Sequence, residues 1–169
     1  MHIETERKFL IERPDLAFLA SQEGCAVLSI VQTYLTHDSG ESERRIRQIT
    51  EGDRTSFVCT VKRRLSAVSR TEDEREISQA EYDALHADAV TELTKTRYRF
   101  PFEEHLIEID VYPDEIGGEG LRNRAVLEVE LDSEDEAFLL PEWVTVLREL
   151  TGTREFSNKA LAMPVSAEV

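Results

Sequence analysis

Cysteine is scarce in this chain: Cys25 and Cys59 are the only two in 169 residues. Their separation fits no metal site, so both are read as buried free thiols of a cytosolic (cytoplasmic) protein without disulfides. Long hydrophobic runs are missing, which excludes a membrane-spanning helix and leaves no membrane partner to expect. The N-terminus is charged, unlike a signal peptide. The histidines, His2, His37, His86 and His105, lack ligand spacing and are expected on the surface or in turns. No G-x-x-x-x-G-K-[ST] occurs, which excludes a P-loop, and no Ser or Cys sits in a nucleophile elbow. Repeats, low-complexity segments and linkers are absent, so residues 1–169 are read as one domain. Excess positive charge is lacking as well. With 35 acidic and 20 basic residues the net charge is −15, which argues against a nucleic-acid-binding surface while leaving room for a local basic lining.

Lysine is the rarest of the charges. Of the 20 basic residues only Lys8, Lys62, Lys95 and Lys159 are lysines. A bias toward arginine accounts for the scarcity but not for the positions. Three of the four fall on charged stripes, and the fourth lies in Phe156-Ser157-Asn158-Lys159. Lysine supplies a compact charge with a tunable pKa and arginine a fixed planar fork, and phosphate chemistry uses both.

The stripes are what the chain has in abundance. Glu4, Glu6 and Lys8 alternate at its start, and in an extended strand such residues share one face. Arg45 and Arg47, Thr60 and Lys62, and Glu72, Glu74 and Glu76 repeat the pattern. So do Lys95, Arg97 and Arg99, then Glu108 and Asp110, and finally Glu128 and Glu130. An eighth segment, Ala26 to Leu35, carries a weaker stripe with Gln32 and Tyr34 on one face. Alternation of this kind also marks any antiparallel sheet with one wet face. Here, however, four segments are mainly acidic and three basic, whereas a solvated face interleaves the two signs. Eight strands are also enough to close, which removes exposed edges. The fold expected is α+β: an eight-stranded antiparallel closed β-barrel with a charged interior, an apolar exterior and flanking helices.

The remaining elements follow from local signals. Pro14-Asp15 opens a short helix to about Gln22, and Ser78 with Glu81 forms a capping box for a helix to about Ala89. Further helices are expected at Glu134 to Leu139, behind Ser133, at Pro141 to Leu150, and as a short turn over Asn158 to Met163. Turns are expected at Asp38-Ser39-Gly40 and Glu51-Gly52-Asp53, with a flexible connection at Gly117-Gly118-Glu119-Gly120.

Carboxylates and cations in one lining suit metal-assisted phosphoryl transfer. Carboxylate oxygens hold a hard divalent ion, arginine forks grip phosphate oxygens, and opposite charges favour each other's ionised forms. In order along the chain stand Glu4-x-Glu6-x-Lys8, Arg45-x-Arg47, Thr60-x-Lys62, Arg70-x-Glu72-x-Glu74, Lys95-x-Arg97-Tyr98, Glu108-x-Asp110, Glu128-x-Glu130 and Asn158-Lys159-Ala160-Leu161-Ala162. Together they resemble the CYTH superfamily, the triphosphate tunnel metalloenzymes, over nearly the whole chain.

The resemblance implies an eight-stranded tunnel and assigns roles within it. Glu4, Glu6, Glu128 and Glu130 look like the main metal ligands, with Glu72, Glu74, Glu108 and Asp110 as second-metal or water-positioning groups. Lys8, Arg45, Arg47, Lys62, Lys95 and Arg97 look like the triphosphate grip, joined by Arg154 and Lys159. Two divalent ions, Mg²⁺ or Mn²⁺, are implied. Lys8 or Lys95 is the candidate for assisting proton removal. Glu76 and Arg99 extend stripes outside the motif, lining either the tunnel or its solvated mouth. The chain begins directly with the motif and shows no helical partner domain, so it is most similar to the stand-alone bacterial tripolyphosphatases. The substrate expected is inorganic tripolyphosphate, a small molecule. Other triphosphatases, class IV adenylyl cyclases and a non-catalytic polyphosphate-binding module are the alternatives. The apolar exterior allows a homodimer.

Overall fold

The computed structural model describes residues 2–36, 42–66 and 68–165. His37 and the turn at Asp38-Ser39-Gly40 lie outside the described residues, as does the side chain of His2. Eight strands form the wall: β1 (His2–Glu12), β2 (Ala26–Leu35), β3 (Ser42–Glu51), β4 (Arg54–Arg64), β5 (Ser69–Ile77), β6 (Ala89–Phe102), β7 (His105–Val111) and β8 (Arg124–Leu131). They pair antiparallel in the ring β6-β2-β3-β4-β5-β1-β8-β7, and β7 pairs with β6 to close it. Short strands β9 (Val146–Glu149) and β10 (Met163–Pro164) add to β1 and β6. The expected closed barrel is therefore present, with two strands more than anticipated.

Three apolar clusters hold the wall. On one side Phe9, Phe100, Ile107, Ile109, Leu127 and Val129 face outward and bury against Leu19 of helix α1 (Leu16–Ala20). Phe138, Leu140 and Trp143 pack onto the same cluster. On the other side Ile46, Cys59 and Ile77 pack under Tyr82 of helix α2 (Gln79–Leu85). The third cluster contains Leu10, Tyr34, Leu93, Tyr112 and Val126, which share the parity of the charged stripes. It closes one end of the interior with Leu150, Ile116, Leu121 and, partly buried, Phe156.

Both short helices start as their sequences dictate, with the side chains of Asp15 and Ser78 accepting the backbone N–H of Phe18 and Glu81. The capping box stays half made, because the Glu81 carboxylate goes to Arg75 instead. Beyond Leu85 the chain tightens into a 3₁₀ turn, His86–Asp88, where helix to Ala89 was expected.

The helices expected at Glu134 to Leu139 and Pro141 to Leu150 do not form. In the first, Glu136 is caught from two sides, accepting the Asp132 N–H at 2.6 Å and meeting His105 Nε2 at 2.5 Å. Phe138 and Leu140 then both turn into the core, a period of two that no helix provides. In the second, a turn at Pro141 leads into β9, which occupies the edge of β1 that β5 leaves after Thr5. The Arg7 guanidinium fixes this pairing with a two-pronged bond to Glu149 at 2.6 and 2.8 Å. The last short helix, α3 (Asn158–Leu161), forms as expected.

The glycine segment is a folded 3₁₀ turn and not a loose connection. Gly117 adopts φ +79°, and a Cβ there would lie 2.3 Å from Leu121 Cδ1, so no other residue fits. Cys59 is buried as expected, whereas Cys25 is partly exposed, and both are free thiols. No helix among the described residues is long and apolar enough to cross a membrane.

Ile109 has no solvent exposure and sits at the centre of the first cluster. Ile109→Ala should lower the unfolding free energy by about 2–5 kcal/mol, read from urea denaturation. A loss below that range would mean that the cluster collapses readily around the cavity.

Candidate active site

Inside the barrel lies a cavity of about 1060 Å³. The strand parity that makes the outer face apolar turns the charged stripes toward it. β1 contributes Glu4, Glu6 and Lys8, β3 contributes Arg45 and Arg47, and β4 contributes Lys62. Glu72 and Glu74 come from β5, Arg97 from β6, Glu108 from β7, and Glu128 and Glu130 from β8. Arg154 and Lys159 reach it from the C-terminal segment.

Two residues of the expected set do not line the cavity. Lys95 and Asp110 share the inward parity but are buried, 3% and 1% exposed, and joined to each other at 2.9 Å. Of the two ambiguous residues, Arg99 lines the cavity and Glu76 does not. The lining also includes Glu43, Arg64, Arg70 and Tyr34, and apolar positions Leu28, Ile30, Ile49 and Leu106. Tyr34 and Arg70 already stood on recognised stripes, and parity alone could have found the others, since each extends one. The Ser157–Ala160 segment has no such signal, because its approach depends on tertiary packing, including the 2.5 Å bond from Tyr112 Oη to Asn158 Oδ1.

Lys8, Lys62, Arg47 and Arg97 each stand beside an anion. Lys62 Nζ stands 3.0 Å from Glu4 and 3.4 Å from Glu72, and Lys8 Nζ stands 3.4 Å from Glu128. Arg47 Nη2 meets Glu74 at 2.5 Å, and the same carboxylate oxygen accepts from the Thr60 hydroxyl at 3.0 Å. Arg97 grips Asp110 through two bonds, at 2.7 and 2.9 Å, and reaches Glu108 at 3.2 Å. The neutralisation is incomplete on the basic side. Nε of Arg45 and of Arg47 are buried and have no hydrogen-bond partner among the described residues.

The acidic side carries the opposite surplus. Burial would raise the Glu4 carboxyl, but Lys62 beside it and a bond from Glu72 hold it at about 2. Burial and that same bond push Glu72 up to about 7. Burial, Glu128 and Glu4 push Glu6 up to about 8, while Glu128, despite its own burial, is held well below the carboxylate range by Lys8, Arg97 and Lys95. Within each pair, Glu6 with Glu128 and Glu72 with Glu4, burial and the neighbouring carboxylate thus favour the neutral form of one partner.

No group of three or more His, Cys, Asp or Glu among the described residues converges into a ready metal cage. The donor chemistry nevertheless fits a hard divalent cation. Glu4, Glu6 and Glu128 offer carboxylate oxygens in one crowded region, and the proton on Glu6 stands where a cation would relieve the same repulsion. Proton assistance divides between the two candidate lysines. Burial opposes the charge of Lys8, but Glu128 and Glu6 keep it ionised. Burial and Arg97 bring Lys95 down to about 7, but it is buried against Asp110.

Comparison with known proteins agrees with this geometry. The CYTH domain matches residues 2–160. Among curated proteins none matches. Among solved structures the chain is similar to the inorganic triphosphatase NE1496, at 29% identity over 98% of this chain and 97% of that one, with a TM-score of 0.57. PH1819 from Pyrococcus horikoshii OT3 shares the fold at 22% identity over 78% and 80% of the two chains, with a TM-score of 0.58. So does bh2851 from Bacillus halodurans, at 22% identity over 80% and 84%, with a TM-score of 0.54.

The proton on Glu6 sets a pH dependence. Its folded value of about 8 exceeds the ordinary 4.5, so its contribution to stability is complete below pH 4.5 and lost as pH rises through 8. Glu4 works in the opposite sense, its contribution being lost only as pH falls toward 2. Metal-free protein should therefore melt lower at pH 8.5 than at pH 5.5, and Glu6→Gln should shrink that difference. Equal pH dependence of the melting temperature in the two proteins would show that Glu6 carries no proton in the apo barrel.

Proposed function

The chain belongs to the CYTH family, and from that premise we propose that it is a divalent-metal-dependent triphosphatase. The substrate proposed is inorganic tripolyphosphate, hydrolysed to pyrophosphate and phosphate. The observation that carries the reading is the pair of buried arginines, Arg45 and Arg47, with unpartnered Nε donors in the same cavity as a carboxyl held in its neutral form. Such a cavity is short of an acceptor on one side and of a cation on the other. The similarity to the inorganic triphosphatase NE1496 over nearly the full chain supports the choice of substrate.

In this reading Arg45, Arg47, Lys62 and Arg97 hold the phosphate chain, and Lys8, kept charged by its carboxylate neighbours, offsets charge near Glu128. Glu4, Glu6, Glu128 and Glu130 would hold the divalent ion, with Glu72, Glu74 and Glu108 as further oxygen donors. The bound ion supplies Lewis-acid polarisation of phosphoryl oxygens and makes a nearby water more acidic. Water oxygen bonds to the terminal phosphorus, the bridging P–O bond breaks, and pyrophosphate leaves with the bond's electron pair. The proton lost by water needs an acceptor near neutrality. Lys95, at about 7, has the value for it, and reaching the substrate requires its contact with Asp110 to open. Asp110 is accordingly assigned to holding Lys95 and Arg97.

A second reading is favoured by the apolar wall. Leu28, Ile30, Ile49 and Leu106 line the same cavity and offer nothing to a bare polyphosphate. They suit the organic group of a nucleoside or thiamine triphosphate.

Phosphate release from tripolyphosphate, ATP and thiamine triphosphate, each with Mg²⁺ or Mn²⁺, tests both readings, and tripolyphosphate should be cleaved fastest. Glu4→Gln and Glu130→Gln should each reduce metal-dependent release by at least about a hundredfold while the melting transition persists. Activity surviving both substitutions would remove these carboxylates from the metal site.

A further inference from the structure

Gln32 stands outside the charged motifs, yet its side chain is wholly buried in the barrel interior, on the inward stripe of β2 with Ile30 and Tyr34. Its Nε2 donates to Tyr34 Oη at 2.7 Å. Its Oε1 has no hydrogen-bond partner among the described residues. A buried amide oxygen without a donor is costly and calls for an explanation.

The residue directly opposite on β3 supplies one. Gln32 and Arg47 are register partners, and the buried Nε of Arg47 likewise lacks a partner. A buried acceptor without a donor and a buried donor without an acceptor therefore sit on paired residues, at positions whose Cβ atoms are about 4.5–5.5 Å apart. The amide orientation follows from the same contacts, because the flipped amide would turn its NH₂ toward a guanidinium that only donates. Arg47 is engaged instead by Glu74, which takes its Nη2 at 2.5 Å and is itself fixed by the buried Thr60 hydroxyl. The neighbouring pair is arranged alike: Tyr34 and Arg45 are also register partners, and Arg45 favours the ionised form of the phenol.

We propose that Gln32 is the positioning residue of Arg47. When a polyphosphate draws the guanidinium from Glu74, Arg47 turns until its Nε–H donates to Gln32 Oε1, and its outer N–H groups face the phosphate oxygens. β2 then backs both arginines of β3, Arg45 through Tyr34 and Arg47 through Gln32. The inference rests on the triphosphate reading and adds to it a ligand-dependent contact.

Calorimetric titration of the full chain with tripolyphosphate, without divalent metal, reads the contact. Gln32→Met keeps length and volume but removes the acceptor, and it should weaken binding about tenfold, the scale of a hydrogen bond to a charged group. In steady-state assays with Mg²⁺ the loss should fall on KM more than on kcat. In an Arg47→Lys background the same substitution should add nothing, because the Nε donor is already gone. Equal loss in both backgrounds, or binding by Gln32→Met as tight as wild type, overturns the proposal. Nitrogen-15 NMR of the wild type is independent of how the variants fold. The Arg47 Nε–H signal, assigned by its loss in Arg47→Lys, should shift and gain protection from exchange when tripolyphosphate is added. Binding with that signal unchanged overturns the pairing alone, whereas a wild type that binds neither tripolyphosphate nor ATP overturns the pairing and the substrate reading together.

Discussion

Asp110 is the constraint on which the rest of the barrel depends. Its carboxylate is 1% exposed and lies between Lys95 at 2.9 Å and the fork of Arg97 at 2.7 and 2.9 Å. Arg97 and Asp110 are also register partners across β6 and β7, the pair that closes the ring. Two buried cations at neighbouring inward positions of β6 would otherwise stand side by side without a counter-charge, and uncompensated buried charge is among the most destabilising things a fold can contain. Burial alone would protonate Asp110, yet Arg97 and Lys95 hold its pKa down. Strand pairing and charge compensation thus coincide at one position of the β6–β7 hairpin.

From that triad the neutralisation spreads outward and thins. Arg97 goes on to Glu108, Lys8 meets Glu128, and Lys62 meets Glu4 and Glu72. Near β3, Glu43 and Glu74 stand beside Arg45 and Arg47, yet the Nε donor of each arginine stays unpartnered among the described residues. Near β1 the cations run short, and carboxyls keep protons instead. The gradient persists because the third apolar cluster shuts one end of the interior and the other two bury the outer wall. Inside such walls the charges interact through protein more than through water, which strengthens both the pairs that form and the deficits that remain.

The barrel and most of its lining were legible in the sequence for one reason: strand parity is rigid. Once Glu4, Glu6 and Lys8 are placed inward, every second residue follows, and the same logic reaches Arg99. Parity cannot report depth. Lys95 and Asp110 carry the right period but are paired with each other and buried, so neither lines the cavity. Nor does local pattern decide a segment whose partners are distant. Val146–Glu149 has no strong strand signal, and it becomes a strand because β1 has a vacant edge and Arg7 a bond to give Glu149. The helix expected over Glu134 to Leu139 failed for the same kind of reason, since His105 and the backbone of Asp132 take the Glu136 side chain.

Pre-paired cations also bear on which anion such a cavity selects. A ligand that reaches Lys62 or Arg47 must displace a carboxylate already there, so a single contact exchanges one ion pair for another of similar strength. The net gain from one such exchange is small. A ligand carrying several charges along a chain can replace several carboxylates at once, and after the first contact the others form within one complex at high effective concentration. The displaced carboxylates then become available to a divalent cation, whose binding offsets their mutual repulsion. On the proposed reading, a condensed phosphate and its metal would bind cooperatively because each uses what the other sets free. A monophosphate, too short to span β3 and β4 together, would gain little from the same residues.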